Sequence, residues 1–233
     1  VVVPGLKAET SIQAVTGMDL YVRAWGRPFK FVTEVYYKYI LNLIPYEVDN
    51  LRIRYYGTND AHGYATGIDF RINGEFVKGI ESWASLSLMK TEEYFEGEWI
   101  PRPTDQRVNF SIFFQDYIPK FPTWKVNLTL VYGTGLPIGP PDSPRSEQTL
   151  RLPAYKRVDI GLSKQLIGEH TKFKEKNPLR AFRSMWVALE IFNLLQFNNT
   201  VSYLWITDIN GRQYAVPNYL TPRTFNLKLI ADF

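Results

Sequence analysis

Cysteine is absent from the 233 residues. That excludes disulfides, zinc–thiolate sites and a cysteine nucleophile. Histidine is almost absent: His62 and His170 are the two, both in connecting segments. A serine–histidine–aspartate site needs a buried, oriented imidazole, and a metal site needs clustered ligands. Asp60 stands near His62 but no second cluster accompanies it, so the reading is no catalytic residues, no metal and no cofactor. No run of eighteen apolar residues exists, so no transmembrane helix is expected. A membrane is not thereby excluded, because a spanning strand needs only ~9–11 residues with alternate ones apolar. No block of one charge sign occurs either. The 27 basic and 23 acidic residues are interspersed, for a net charge of +4, which gives nucleic-acid binding little support.

What the chain does have is aromatic residues, 15 Phe, 15 Tyr and 6 Trp, a composition that favours strands. It begins Val1-Val2-Val3-Pro4, with no basic or apolar leader, and the expectation is a chain that starts inside a longer exported protein.

Two-residue alternation dominates, which means strands with two unlike faces. Phe225, Leu227, Leu229, Ala231 and Phe233 share one face of the last strand; Asn226, Lys228, Ile230 and Asp232 share the other. The pattern repeats at Met185–Ile191, Val158–Leu162, Val126–Tyr132, Val108–Phe114, Ala84–Leu88, Ile68–Ile72 and Phe29–Tyr39. A weaker first strand is expected near Ala8–Tyr21. About nine long strands result, longer than the ~5–6 residues of soluble sheets. Charges sit mid-strand on the second face: Lys30, Glu34, Asp69 and Arg71. Alternation alone does not separate a soluble sandwich from a barrel.

Connector lengths favour the barrel. Ala24–Pro28, Asn73–Gly79 and Ile118–Thr123 are short; Leu43–Tyr64, Glu92–Thr104, Thr134–Ala154 and Gln196–Pro222 are long. Short periplasmic turns and long extracellular loops are the outer-membrane arrangement. Gly168–Arg183, long and basic, departs from the rule at the turn end. Within the last loop, Asn210-Gly211 between Val201–Thr207 and Gln213–Val216 predicts a small hairpin with a type I′ turn.

Several segments resemble Bacteroidota-type TonB-dependent outer-membrane receptors: Lys125-Val126-Asn127-Leu128-Thr129-Leu130-Val131-Tyr132-Gly133-Thr134-Gly135-Leu136-Pro137, Leu152-Pro153-Ala154-Tyr155-Lys156-Arg157-Val158-Asp159-Ile160-Gly161, Leu189-Glu190-Ile191-Phe192-Asn193-Leu194-Leu195, and the ending from Asn218 to Phe233. Asn42–Tyr46 and Arg102–Arg107 are similar as well. The resemblance covers nearly the whole chain. It implies an all-β, antiparallel transmembrane β-barrel, with residues 1–233 supplying the C-terminal ~9 strands of 22 and a plug domain lying outside the chain. It further implies a cell outer membrane location and nutrient import (a glycan, peptide, siderophore or similar) driven by the TonB–ExbB–ExbD complex through an N-terminal part not present here. The terminal Phe225, Leu227, Leu229, Ala231 and Phe233 would be the signal read by the barrel assembly machinery. Membrane lipid is the remaining implied partner, and a surface lipoprotein is left open. A passive porin-like channel, an outer-membrane barrel enzyme and a soluble all-β binding domain stand as rivals.

Aromatic residues in or beside the long loops are candidates for stacking on a sugar ring or flat ligand: Tyr55, Tyr56, Tyr94, Phe95, Trp99, Tyr203, Trp205 and Tyr214. Interface girdle or loop packing is the competing reading for each. Arg52, Arg54 and Arg145 can recognise an anion or be solvated loop charges. Turn chemistry accounts for Asp208 and Asn210. The formal acceptor spacings at Asn127, Asn198 and Asn199 read as chance.

Overall fold

The computed structural model describes residues 3–49, 52–77, 80–118, 120–140, 143–168, 171–174, 177–220 and 222–233. His170 lies outside them. Nine strands follow one another in one antiparallel sheet, where the alternation puts them: β1 (Thr10–Ala24), β2 (Arg27–Leu43), β3 (Ala61–Val77), β4 (Ile80–Phe95), β5 (Val108–Ile118), β6 (Phe121–Gly133), β7 (Tyr155–Ile167), β8 (Ser184–Phe192) and β9 (Thr224–Asp232). Each pairs with the next, and a short strand, Glu98–Pro101, folds back on β4. Three further two-stranded hairpins stand off the sheet: Tyr46–Asp49 with Arg52–Tyr55, Pro137–Ile138 with Leu150–Arg151, and Thr200–Thr207 with Gln213–Tyr219. All three grow from one end of the sheet.

The other end is closed by tight turns, apart from the connection through the 3-10 turn Pro178–Ala181. Trp25 and Gly26 join β1 to β2 with φ of 52° and 72°. Positive φ at both central residues is the type I′ geometry that matches strand twist. Glu96-Gly97 repeats it at the loop end, with φ of 52° and 89°. The expected Asn210-Gly211 type I′ turn is not formed. Thr207 does face Gln213, but five residues separate them, and among the described residues only Gly211 there has positive φ. The Asp208 carboxylate closes this wider loop by accepting from the backbone N–H groups of Asn210 and Arg212, each at 2.8 Å. An Asx-type side chain has displaced the two-residue turn.

Register carries the alternation across the sheet. Leu20 faces Phe31, Phe31 faces Ile72, Ile72 faces Ala84, Ala84 faces Ile112, Ile112 faces Leu130, and Leu130 faces Val158. Further along, Leu162 faces Leu189 and Leu189 faces Leu227. Directly paired residues project to the same side, so all the apolar rows form one continuous face. That row also slides along the strands. Leu20 lies near the turn end of β1, whereas Val158 lies near the loop end of β7. Such stagger accompanies the strand tilt of barrel-type sheets.

Among the described residues the apolar rows do not meet across a closed dry interior. The apolar rows are bare: Phe225 is 66% exposed, Leu227 74%, Leu189 44% and Phe70 39%. The buried apolar residues lie mostly near strand ends, as with Phe29, Leu43, Ala61, Ile80 and Ile167. The accessible area is 15773 Å² at 27.1 kDa, against about 10,900 Å² for a folded soluble monomer of that mass.

Candidate functional site

The second face carries the polar chemistry. Its charges are mostly matched between neighbouring positions. Lys30 Nζ lies 2.6 Å from Asp19 on β1, and Arg157 Nε donates to Asp159 Oδ1 at 2.8 Å. Glu190 accepts from Lys228 at 2.7 Å and from Asn226 at 2.9 Å, both on β9. Aromatic rings lie among these charges. The Arg71 guanidinium rests 5.9 Å from the Trp83 ring, and Lys125 Nζ lies 5.1 Å from Tyr117 and 5.2 Å from Trp186. Glu34 and Asp69 are direct cross-strand partners on this face, a like-charge juxtaposition that costs stability. They line an open concavity of about 860 Å³ together with Lys30, Arg71 and Ser85.

At the loop end, two buried carboxylates hold the connecting segments. Asp105 is fully buried. It accepts from the Thr91 N–H at 2.8 Å, from Arg107 Nε at 2.7 Å and from the Arg151 guanidinium. Glu93 accepts from Arg145 Nη2 at 3.0 Å, and the same nitrogen donates to the Pro101 carbonyl at 2.9 Å. The Arg145 guanidinium lies 5.3 Å from the Tyr46 ring. Burial pushes the Tyr46 hydroxyl above its usual pKa. Neither sequence reading of Arg145 holds: it is buried and paired, neither solvated nor open to a ligand. No local signal could show this, because Glu93 stands 52 residues away.

Asn193 and Asn199 perform the same service for the last loop. Asn193 both accepts from the Phe197 N–H and donates to the Phe197 carbonyl, and its own N–H donates to Asp159. Asn199 bonds both backbone groups of Lys156 through its amide, at 2.8 Å each, in place of a neighbouring strand. Between these segments and β7 lies a cavity of about 300 Å³, lined by Tyr155, Arg157, Phe192, Leu220 and Pro222 among others.

The loop aromatics fall in separate places. Tyr94 and Trp99 pack against His62, tilted at 5.0 Å and edge-on at 5.5 Å, and with Tyr64 they form an aromatic patch on the apolar face. Tyr55 lies 5.9 Å from Tyr46 within its hairpin, while the Tyr56 hydroxyl donates to Glu47 and its ring meets Phe95. Tyr203 and Trp205 share one side of the last hairpin; Tyr214, paired with Ile206, is on the other. Tyr56, Tyr94 and Phe95 line one open concavity of about 490 Å³, whereas Tyr55, Trp99, Tyr203, Trp205 and Tyr214 lie outside it. Arg54 pairs with Glu47 at 3.4 Å. Phe225, Leu227, Leu229 and Ala231 lie in the apolar row of β9, and Phe233 packs 4.7 Å from Phe182. Among the described residues no group of three or more His, Asp or Glu side chains is placed to hold a metal ion, and no helix is long and apolar enough to cross a membrane.

No protein-family model matches the sequence, and no curated protein matches it. The fold is similar to that of the ferric-catecholate import receptor Fiu from E. coli K12, in the closed form of its crystal structure, with a TM-score of 0.63 at 14% sequence identity. The similarity covers 96% of this chain and 28% of that one, so the chain spans little more than a quarter of the receptor's length. The nine-stranded sheet is therefore similar in fold to a section of that receptor.

Proposed function

We propose that this chain is part of the wall of a TonB-dependent outer-membrane receptor that imports a nutrient into the periplasm. The observation that carries the proposal is the pair of unlike faces running without a break across nine strands. One face is apolar and bare through the middle of the strands, with a Lys90–Glu92 ion pair beside Tyr64 toward its loop edge, and the other is charged and internally paired. On β2 the apolar row runs from Phe29 to Tyr39. Ten residue steps at ~3.3 Å, tilted by ~40°, give a height of roughly 25 Å, the thickness of an outer-membrane apolar band. Trp25, Phe29 and Phe76 gather at one edge of that band, and Tyr39, His62, Tyr64 and Trp99 at the other, as interfacial girdles do.

In this reading the charged face lines the lumen, the tight turns face the periplasm and the hairpins stand outside. The chain does no chemistry; its contribution is wall, lumen and outer loops. Tyr203, Trp205 and Tyr214 in the last hairpin, with Tyr55 and Tyr56, are the loop aromatics that would meet substrate. Tyr94 and Trp99 would sit in the outer girdle. Energy would come from TonB–ExbB–ExbD through a segment outside this chain, and insertion from the barrel assembly machinery acting on the strand that ends at Phe233.

The test uses the complete protein in its native host. Outer-membrane fractionation with heat-modifiable migration reports the barrel, and uptake with and without a functional TonB reports the transport mode. Recovery in a soluble fraction would remove the proposal. Uptake that persists without TonB would convert it to a passive channel.

A further inference from the structure

Arg157 is held in a way that goes beyond a wall charge. Asp159 Oδ1 takes its Nε at 2.8 Å, and the Phe192 ring lies 5.2 Å from the guanidinium carbon. Asp159 is in turn fixed by the Asn193 N–H at 2.8 Å. Asp159 and Phe192 thus set the plane of the guanidinium, with Asn193 holding Asp159 in place. Among the described residues no carboxylate or carbonyl takes its two Nη atoms, and 36% of its side chain is open. Arg157 borders the cavity of about 300 Å³ at the loop end of the polar face, which Leu220 and Pro222 also line. The amide groups of Asn193 and Asn199 in the same wall are already satisfied by backbone partners. The polar demand of the cavity therefore rests on Arg157, Tyr155 and Thr224, whose hydroxyl donates to the Pro222 carbonyl at 3.2 Å, and Phe192, Leu220 and Pro222 supply an aromatic and apolar lining.

We propose that this cavity is a binding pocket for a carboxylate attached to a small flat or apolar body. An oriented guanidinium presents two parallel N–H groups that a carboxylate fills bidentately, and a ring beneath the plane keeps that fork in place. The volume is at the lower end of the ~300–1,000 Å³ of ligand pockets, which suits one ring or one amino-acid-sized group rather than an oligosaccharide. As a recognition point for imported substrate, the pocket rests on the import reading above and narrows the substrate class to one bearing a carboxylate.

The test is binding of benzoate and of benzamide, the same flat body with and without charge, to the complete detergent-purified protein, followed by titration calorimetry. Benzoate is expected to bind at least tenfold more tightly than benzamide. Arg157→Gln should abolish the difference. Leu220→Trp, which fills the cavity and leaves the Arg157–Asp159 pair alone, should abolish benzoate binding in protein that keeps its heat-modifiable migration. If Arg157→Gln fails to assemble, Leu220→Trp decides alone. Equal binding of the two probes, no benzoate binding, or benzoate binding that survives either substitution overturns the proposal. None of these measurements needs TonB. Loss of binding with TonB-dependent uptake intact therefore removes the pocket alone, and binding without such uptake removes the import reading alone.

Discussion

Leu227 on β9 faces Leu189 on β8, and the next residue along, Lys228, turns to the opposite side, where its ammonium lies 2.7 Å from Glu190. One step along the chain separates an apolar surface from an ion pair.

That step predicts opposite tolerance at neighbouring positions. Leu229→Arg puts a charge into the apolar row, at a cost of about 2–4 kcal/mol near a bilayer midplane, and the heat-modifiable barrel band should be lost. Lys228→Leu gives up a pair whose lysine is 48% exposed; exposed pairs are worth about 0–1 kcal/mol, and assembly should be close to normal. Equal outcomes at the two sites would contradict the face assignment.

Asp105→Asn should loosen the segment from Gly135 to Arg151. The buried carboxylate binds Arg107, Arg151 and the Thr91 N–H. Both arginines are about one-third exposed, so part of the loss is recovered by hydration, and the expected destabilisation is about 1.5–3 kcal/mol, the range for hydrogen bonds to a charged group. Limited proteolysis of detergent-solubilised protein should show earlier cleavage in this segment. Unchanged cleavage would show that the network does not hold it.

Arg145→Met should be more severe than its loop position suggests. The Arg145 side chain is 3% exposed and Glu93 is 10% exposed. Removing one partner of a buried pair costs about 3–5 kcal/mol when the other is stranded; Arg102, 3.5 Å from the Glu93 carboxylate, keeps part of the compensation, so a loss toward the lower end is expected. Arg145→Met combined with Glu93→Gln should recover much of that loss. Denaturant unfolding of the two variants makes the comparison, and an equally unstable double variant would argue against the pair as the cause.

Gly74→Ala should displace the Phe29 ring, which occupies the space a Cβ would need and packs edge-on against Phe76 with centroids 5.1 Å apart. Overpacking of this kind costs about 1–3 kcal/mol. Adding Phe29→Leu should return part of it, since the obstructing atoms belong to the ring and not to backbone. If thermal stability does not change on Gly74→Ala, the contact is softer than its geometry implies.

Much of the architecture was legible without coordinates. Leu227 and Lys228 differ in character because alternation is local, written into each strand with period two. The rows at Phe29–Tyr39, Ala84–Leu88, Val126–Tyr132 and Met185–Ile191 all proved to lie on one side of one sheet. The separation of short turns from long loops also survived, because loop length follows directly from where strands stop. The Asn210-Gly211 turn misled because a competing local acceptor, Asp208, was available two residues earlier.

The candidate site was far less legible. Tyr55, Tyr94 and Tyr203 look alike in the sequence, yet they occupy the first loop hairpin, an aromatic patch on the apolar face and the last loop. Arg145 and Arg54 looked alike too, and one is buried while the other is exposed. The sequence by itself determined which residues share a face, how long the strands run and which end carries the loops, since each depends on neighbours two positions away. Only the tertiary structure decided which carboxylate each arginine meets and where cavities remain. Those outcomes depend on register and on loops that return after tens of residues, and a hydrogen bond is set by distance in space rather than along the chain.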